Sequence, residues 1–166
     1  MNIRPARKED AKQIATIHIK ARKDGYQGII EQSYLDNKKV TLKQIQNITK
    51  YIINSTENYL VYENKKGEIC GFIDGGTPRD KNPQYPHEIY SFYVDPIHQK
   101  SGIWTQLFNA FQERIQHQPC YLWTLPWSRG DWFYSKYGGE ICAQSTIDIG
   151  GKTYPLVCYA FDTNPK

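Results

Sequence analysis

Three segments of the chain predict amphipathic helices, because apolar residues recur every three or four positions along them. They are Glu9 to Ala21, Thr41 to Asn54 and Gly102 to His117. In the last of these, Ile103, Leu107, Phe111 and Ile115 follow one another at intervals of four. A shorter helix is predicted from Gly130 to Tyr137, where two glycines follow as a natural left-handed cap.

The stretches between these helices have the composition of β-strands. Strands are predicted at Asn2 to Pro5, Asn58 to Glu63, Glu68 to Asp74, Glu88 to Val94, the segment CYLWTL from Cys120, and on both sides of Gly150 and Gly151. The two adjacent glycines suit a tight hairpin. Pro155 places part of the last strand at a sheet edge, since proline cannot donate to a ladder. The segment TPRDKNPQYPH holds three prolines and predicts a surface loop.

The predicted order of elements is therefore β-α-α-β-β-β-α-β-α-β-β, which is an α/β fold. At 166 residues, with no repeat and no linker-like segment, the chain is expected to form a single domain over residues 1–166.

Composition and charge exclude several classes of function. Lys and Arg number 21 against 17 Asp and Glu, and this small excess is spread along the chain, so nucleic-acid binding is not favoured. The four cysteines lack metal-ligand spacing, so no metal is expected. The charged start MNIRPARKED has no apolar leader, and no apolar run approaches the roughly 20 residues that span a bilayer. We therefore expect a cytoplasmic location without membrane contact.

The most informative segment is SFYVDPIHQKSGIWTQLF, a strand that passes through a turn into a helix. A helix N-terminus has backbone N–H groups without intrahelical partners, and a glycine turn that leads into it can hold phosphates. A single glycine, Gly102, is weak evidence for such a site, since most strand-to-helix turns only reverse the chain.

The wider context resembles the GNAT superfamily of acyl-CoA-dependent N-acetyltransferases. In that family a strand ending in Tyr-Val-Asp-Pro leads to Gln/Arg-x-x-Gly-x-Gly/Ala at the start of the central helix. The matching residues are Tyr93, Val94, Asp95, Pro96, Gln99 and Gly102. RPARKEDAKQIATIH, GYQGIIEQSYLD and WFYSKYGGE are similar to further family segments, so that the resemblance covers the chain from about Asn2 to Phe161.

The resemblance implies a GNAT-like fold, with a central mixed and mostly antiparallel sheet flanked by helices, and acetyl-CoA as cosubstrate. It implies that one strand pairs its backbone with the pantetheine arm of CoA and that the turn amides face the pyrophosphate. The expected cofactor-binding residues are Phe92, Tyr93, Val94, Gln99, Lys100, Ser101, Gly102, Ile103, Trp104 and Thr105.

Two positions depart from the family pattern. The last Gly or Ala of the motif is replaced by Trp104, where a side chain would compete with the pyrophosphate for space. Trp104 either leans away and leaves binding intact or fills the site. A position that often carries a CoA-contacting asparagine is Trp127 here.

The resemblance also implies catalytic roles. Tyr134 matches the tyrosine that protonates the departing thiolate, although a core aromatic would give the same pattern. Glu88, at the start of the central strand, is the candidate base, directly or through a water; the alternative is a solvated glutamate. His87 is a weaker candidate, since an imidazole titrates near neutrality.

The acceptor amine is expected to meet aromatic and acidic side chains. The candidates for substrate contact are Tyr26, Glu31, Tyr90 and Trp123, with Trp127, Trp132, Asp24 and Asp131 as further aromatic or acidic side chains. Aromatic walls favour a small-molecule amine over a protein terminus. An edge strand near Pro155 is compatible with a homodimer.

Two functions follow. The first is direct transfer of the acetyl group of acetyl-CoA to a primary amine. The second, motivated by Trp104, is a catalytically silent GNAT-like module that binds a ligand or partner.

Overall fold

The computed structural model describes residues 2–54, 58–79 and 84–162. The helices are α1 (Ala11–Gly25), α2 (Gln32–Asp36), α3 (Leu42–Asn54), α4 (Ile103–Arg114) and α5 (Arg129–Lys136). The strands are β1 (Asn2–Pro5), β2 (Leu60–Glu63), β3 (Ile69–Gly76), β4 (His87–Val94), β5 (Cys120–Thr124), β6 (Glu140–Ile149) and β7 (Lys152–Phe161). Of the predicted loop 77–87, residues 80–83 lie outside the described residues.

The strands form one seven-stranded sheet in the order β1-β2-β3-β4-β5-β7-β6. All neighbouring strands are antiparallel except β4 and β5, which are parallel. The predicted α/β fold, with a mixed and mostly antiparallel sheet flanked by helices, is thus confirmed. The hairpin between β6 and β7 turns on Gly150 and Gly151, whose φ angles of 64° and 82° only glycine adopts readily.

The helices differ from the predicted pattern in two places. The short helix α2, which the sequence did not predict, lies between α1 and α3. Five residues are too few to display a hydrophobic period, so this element escapes pattern analysis. In α3, Ile48 and Ile52 contact the core while Leu42 and Ile53 are largely exposed, which leaves only part of its apolar stripe buried.

The edge of the sheet also differs in detail. The outer strand is β6, and β7 lies between β5 and β6. Pro155 pairs with Thr146 of β6, but the pairing of β7 with β5 begins only at Val157. The missing N–H of Pro155 is therefore tolerated because this part of β7 has a neighbour on one side only.

Two apolar layers cover the two faces of the sheet. Successive side chains of β2 point to opposite faces of the sheet: Leu60 lies in the layer under α4 and Val61 in the layer under α1. The α4 layer is rich in aromatic rings, among them Phe92, Phe111 and Phe133. The sheet therefore carries α1 and α4 on opposite sides of β4.

A β-bulge in β4 opens the sheet. Asp74 of β3 faces Ser91 and Gly75 faces Ile89, so Tyr90 has no partner opposite it. Such an extra residue bends its strand and increases the local twist. The pairing of β4 with β5 consists of His87 with Cys120 and Glu88 with Tyr121, and ends there. Beyond this point the two parallel strands diverge, and a cleft opens between them.

Candidate active site between β4 and β5

The cleft is built from helices α1, α4 and α5, strands β4 and β5, and the turn between β4 and α4. Its lining consists of Ala21, Gly25 and Tyr26 at the end of α1, Ile89 to Val94 of β4, Gln99 and Trp104, Leu122 to Thr124 at the end of β5, and Ser128, Arg129, Gly130 and Tyr134 of α5 and its N-cap. The side of residues 89–94 that faces β5 pairs with no described strand. Backbone N–H and C=O groups are therefore available to an extended ligand along Phe92, Tyr93 and Val94.

The turn after β4 is held by Asp95. Its N–H donates to the carbonyl oxygen of Cys70 at 2.8 Å, and its Oδ1 accepts from the N–H of Ile97 at 3.2 Å. Lys100 and Gly102 then take positive φ angles of 64° and 76°. Gly102 is the N-cap of α4. The turn therefore delivers the unpaired N–H groups at the start of a twelve-residue helix to the surface.

A groove of about 540 Å³ runs beside this turn, between α4 and α5. Its lining is Gln99, Lys100, Gly102, Trp104, Thr105, Arg129, Trp132, Phe133, Lys136 and Tyr137. Three of these side chains are cationic, and together with the N-terminus of α4 they suit an anion. The residues present therefore fit the pyrophosphate of CoA. Ser101 and Ile103 do not line the groove: the Ser101 hydroxyl donates to the carbonyl oxygen of His98, and Ile103 is buried in the core.

The indole of Trp104 packs onto the aromatic layer. Its ring centre lies 4.4 Å from that of Phe92, 5.2 Å from Phe133 and 6.3 Å from Tyr134. The groove beside Lys100 and Gly102 stays open. Trp104 lines both the groove and the cleft, so the indole forms the wall at which the two meet.

Tyr134 lies in the cleft on α5. It is 5% exposed, and no described residue is hydrogen-bonded to its hydroxyl. Gly130, one turn earlier, makes room for it, because a Cβ at that position would lie 3.1 Å from the hydroxyl oxygen. Burial raises the pKa of Tyr134 well above its usual value, so the phenol keeps its proton at neutral pH.

Glu88 lies where β4 and β5 still pair, just before the cleft opens, and it is 2% exposed. Its Oε1 accepts from Nε of Arg79 at 3.0 Å, and its Oε2 accepts from the backbone N–H of Arg79 at 2.8 Å. The hydroxyl of Tyr121 is a more distant donor at 3.5 Å. His87 contacts Gln118, with 2.9 Å between Nε2 and Oε1, and does not line the cleft.

The structure brings three of the four candidate substrate residues together. Tyr26, Tyr90 and Trp123 line the cleft. Glu31 does not line it and instead forms an ion pair with Lys152 at 2.5 Å. Trp127 is 78% exposed and lines neither the cleft nor the groove.

A polar bridge spans the mouth of the cleft, and the sequence did not indicate it. Nη1 of Arg129 on α5 donates to Oε1 of Gln99 at 3.1 Å and lies 3.2 Å from Oδ2 of Asp24 on α1. Nε2 of Gln99 donates to the same Asp24 oxygen at 3.4 Å. These contacts join residues far apart in the chain, so no local pattern could have revealed them.

Within residues 2–54, 58–79 and 84–162, no three His, Cys, Asp or Glu side chains converge as metal ligands. The helices of the same ranges include none with the length and apolar character needed to cross a bilayer.

Comparisons with known proteins agree with this geometry. Residues 55–138 match the acetyltransferase (GNAT) domain family. An uncharacterized N-acetyltransferase of Bacillus subtilis, YuaI, is 27% identical over 154 residues, which cover 91% of this chain and 87% of that protein. The chain belongs to the GNAT acetyltransferases, and it is an acyltransferase of that superfamily.

Solved structures show the same fold. A GCN5-related N-acetyltransferase from Rhodopseudomonas palustris superposes with a TM-score of 0.73 at 16% identity, covering 97% of this chain and 94% of that one. The PaiA N-acetyltransferase of Thermoplasma acidophilum, solved in complex with coenzyme A, gives 0.67 at 20% identity, covering 94% and 96%. Family membership supports the enzyme over the silent module and acetyl-CoA as the family's acetyl donor.

Proposed function

We propose that this protein transfers the acetyl group of acetyl-CoA to a primary amine of a small molecule by direct attack of the amine on the thioester. The observation that carries this proposal is the hydroxyl of Tyr134, which has no hydrogen-bond partner among the described residues and lies in a cleft whose β4 edge pairs with no described strand. A buried phenol with such a hydroxyl is poised to donate to an incoming group.

The chain's residues divide the work of holding the cosubstrate. The free edge of β4 at Phe92 to Val94 offers the pantetheine arm a strand to pair with, and the N-terminus of α4 with Lys100 offers N–H groups and charge to the pyrophosphate. Gln99 and Arg129 border both pockets, so the bridge across the mouth lies beside the same path.

Acetyl-CoA supplies the acetyl group as a thioester. In the transfer, the amine nitrogen forms a bond to the carbonyl carbon, the carbon–sulfur bond breaks, and the nitrogen loses one proton while the sulfur gains one. We assign the proton on sulfur to Tyr134, which stays protonated at neutral pH because burial raises its pKa. We assign the proton from nitrogen to Glu88 through a water, because Glu88 does not itself line the cleft and Arg79 donates to both of its carboxylate oxygens. Tyr134 regains its proton from solvent.

The cleft favours a small acceptor. Three aromatic side chains, Tyr26, Tyr90 and Trp123, line it, and the contact of Arg129 with Asp24 crosses its mouth. A compact amine fits such an enclosure better than the end of a folded protein does.

The test is a steady-state assay of CoA release with a panel of small primary amines and, in parallel, short peptides with free N-termini. Tyr134→Phe keeps the ring and removes the proton. We expect kcat to fall by about 10²- to 10⁴-fold, while the Kd for acetyl-CoA measured by calorimetry stays within about threefold. Tyr62→Phe, at a buried tyrosine of β2, is the matched control and is expected to leave kcat unchanged.

Equal kcat values for Tyr134→Phe and the unaltered protein would show that Tyr134 is a core aromatic without a catalytic role. Glu88→Gln is expected to lower kcat without a change in acetyl-CoA affinity. Absence of acetyl-CoA binding to the unaltered protein would contradict the proposed reaction as a whole.

A further inference from the structure

A second cavity lies on the opposite side of β4 from α4, beneath α1 and α3, with a volume of about 230 Å³. Its walls include His18 of α1, Tyr51 of α3, Phe72 and Asp74 of β3, and Tyr90 and Ser91 of β4. Tyr90 and Ser91 also line the active-site cleft, so the two spaces adjoin at the bulge in β4. We call this space the Asp74 cavity.

The Asp74 cavity contains a buried carboxyl group that is only partly satisfied. Asp74 is 6% exposed, and its Oδ1 accepts no hydrogen bond from a described residue. Ser91 lies opposite Asp74 in the register of β3 and β4. An unpaired buried acceptor is costly, so each such group calls for an explanation. Burial raises the pKa of Asp74 to about 7.

The two nitrogen bases that line the cavity, His18 and Arg79, are not hydrogen-bonded to Oδ1 of Asp74, although the charge of Arg79 lowers the pKa of this carboxyl group by less than burial raises it. Burial, and to a lesser extent the charge of Arg22, lowers the pKa of His18 to about 4, so its imidazole is neutral at pH 7. Arg79 also lines the cavity, but its guanidinium is bonded to Glu88, with Nη2 lying 2.5 Å from Oε1. Among the described residues, no cation is therefore hydrogen-bonded to Oδ1 of Asp74.

The chemistry of the walls identifies the missing group. An ionised carboxylate only accepts hydrogen bonds, so its partner must donate, and an ammonium donates up to three. The rings of Tyr51, Phe72 and Tyr90 surround the space, and aromatic faces attract cations. The face of Tyr90 already holds one cation, since the Arg79 guanidinium lies 4.8 Å from its centre.

We propose that the Asp74 cavity binds the distal ammonium group of a diamine acceptor. The alkyl chain passes Tyr90 and Ser91, and the other amino group, uncharged, enters the cleft beside Tyr134. This inference rests on the proposed acetyl transfer and adds a substrate class to it, namely linear aliphatic diamines. Asp74 is then a specificity residue, which contacts the substrate away from the reacting atoms.

The experiment compares n-butylamine with 1,3-diaminopropane, 1,4-diaminobutane and 1,5-diaminopentane as acceptors. Measurements at pH 8 keep Asp74 ionised. We expect at least one diamine to have a KM about 10- to 100-fold below that of n-butylamine, the range of a charge-assisted hydrogen bond. Asp74→Asn should abolish this difference by raising the diamine KM, with kcat and the KM for n-butylamine little changed.

Asp36→Asn is the matched control, because Asp36 is a surface carboxylate paired with Lys23 far from the cavity lining. Tyr51→Ala gives a second test at a side chain that is 51% exposed, and it should also raise the diamine KM.

Calorimetry with 1,4-diaminobutane, in the absence of acetyl-CoA, separates this inference from the proposed reaction. Binding that Asp74→Asn weakens about tenfold or more supports the cavity assignment even if no transfer is observed. Equal KM values for diamines and n-butylamine, or diamine binding that Asp74→Asn leaves unchanged, would overturn it. Failure of acetyl-CoA binding, by contrast, would affect only the reaction.

Discussion

Replacing Trp104 by glycine restores the residue type that the family motif carries at the start of α4, and it separates the two roles open to this indole. In the structure the ring lies within 4.4–6.3 Å of three aromatic rings and is half-buried. We therefore expect Trp104→Gly to destabilise the fold while leaving the pyrophosphate site usable.

The size of the loss follows from these contacts. Removing a large aromatic side chain from a core costs about 3–5 kcal/mol, and a half-exposed ring belongs at the lower end. Glycine in a helix adds about 1 kcal/mol. We therefore expect the free energy of unfolding to fall by about 3–4 kcal/mol. For a chain of 166 residues this lowers Tm by roughly 6–16 °C.

The assay pairs thermal unfolding with calorimetric titration of acetyl-CoA at a temperature at which both proteins are folded. The Kd is expected to change by less than about threefold, because the groove beside Lys100 and Gly102 is already open. Trp104→Phe, which retains an aromatic ring, is the control and should lose about half as much stability. A tenfold or greater gain in acetyl-CoA affinity on Trp104→Gly would refute this reasoning and show that the indole obstructs the site.

Three further changes test other parts of the fold. Gly75→Ala should lower the free energy of unfolding by about 1–3 kcal/mol, because its Cβ would lie 2.4 Å from the Glu88 carbonyl oxygen. Gly25→Ala is the control and should not, because there is open space around Gly25. Equal shifts in Tm for the two variants would contradict the close packing at Gly75. Asp10→Asn should lower the free energy of unfolding by about 1.5–3 kcal/mol at pH 7. Burial favours the neutral acid, but hydrogen bonds from Arg4 and Arg7 outweigh it and lower the pKa of Asp10. The loss of stability should therefore vanish when unfolding is measured at a pH below the folded-state pKa. Asp74→Asn should be more stable than the unaltered protein above pH 7, because the raised pKa of Asp74 makes the stability of the unaltered protein fall as pH rises from about 4 to about 7. Denaturant titrations in which the free energies of unfolding of the two proteins change equally over this pH range would contradict this.

The elements around the cleft could be predicted because their signals are local. The four-residue spacing of Ile103, Leu107 and Phe111 predicts α4, and Pro96 and Gly102 mark the turn before it. The strand, the turn and the helix follow one another in the chain, so local patterns were enough to predict these three elements.

The remaining features depend on contacts between distant residues. Whether Arg79 pairs with Glu88, or Arg129 with Asp24, depends on the sheet register and the position of α1, which no short segment encodes. The same is true of Asp74, which no local pattern singles out, because a lone aspartate in a strand carries no signal until the fold buries it. The bulge at Tyr90 likewise depends on how β4 pairs with β3.

The short junction between β4 and β5 has a mechanical consequence. Only two residue pairs, His87 with Cys120 and Glu88 with Tyr121, join the strands β1 to β4 to the strands β5, β7 and β6. The sheet therefore consists of two parts joined by a short ladder between β4 and β5. A cosubstrate lying along β4 would help to hold these two parts together. Amide hydrogen exchange in β5 should then slow when acetyl-CoA binds, because the ligand fills the space between β4 and β5 and restrains their separation.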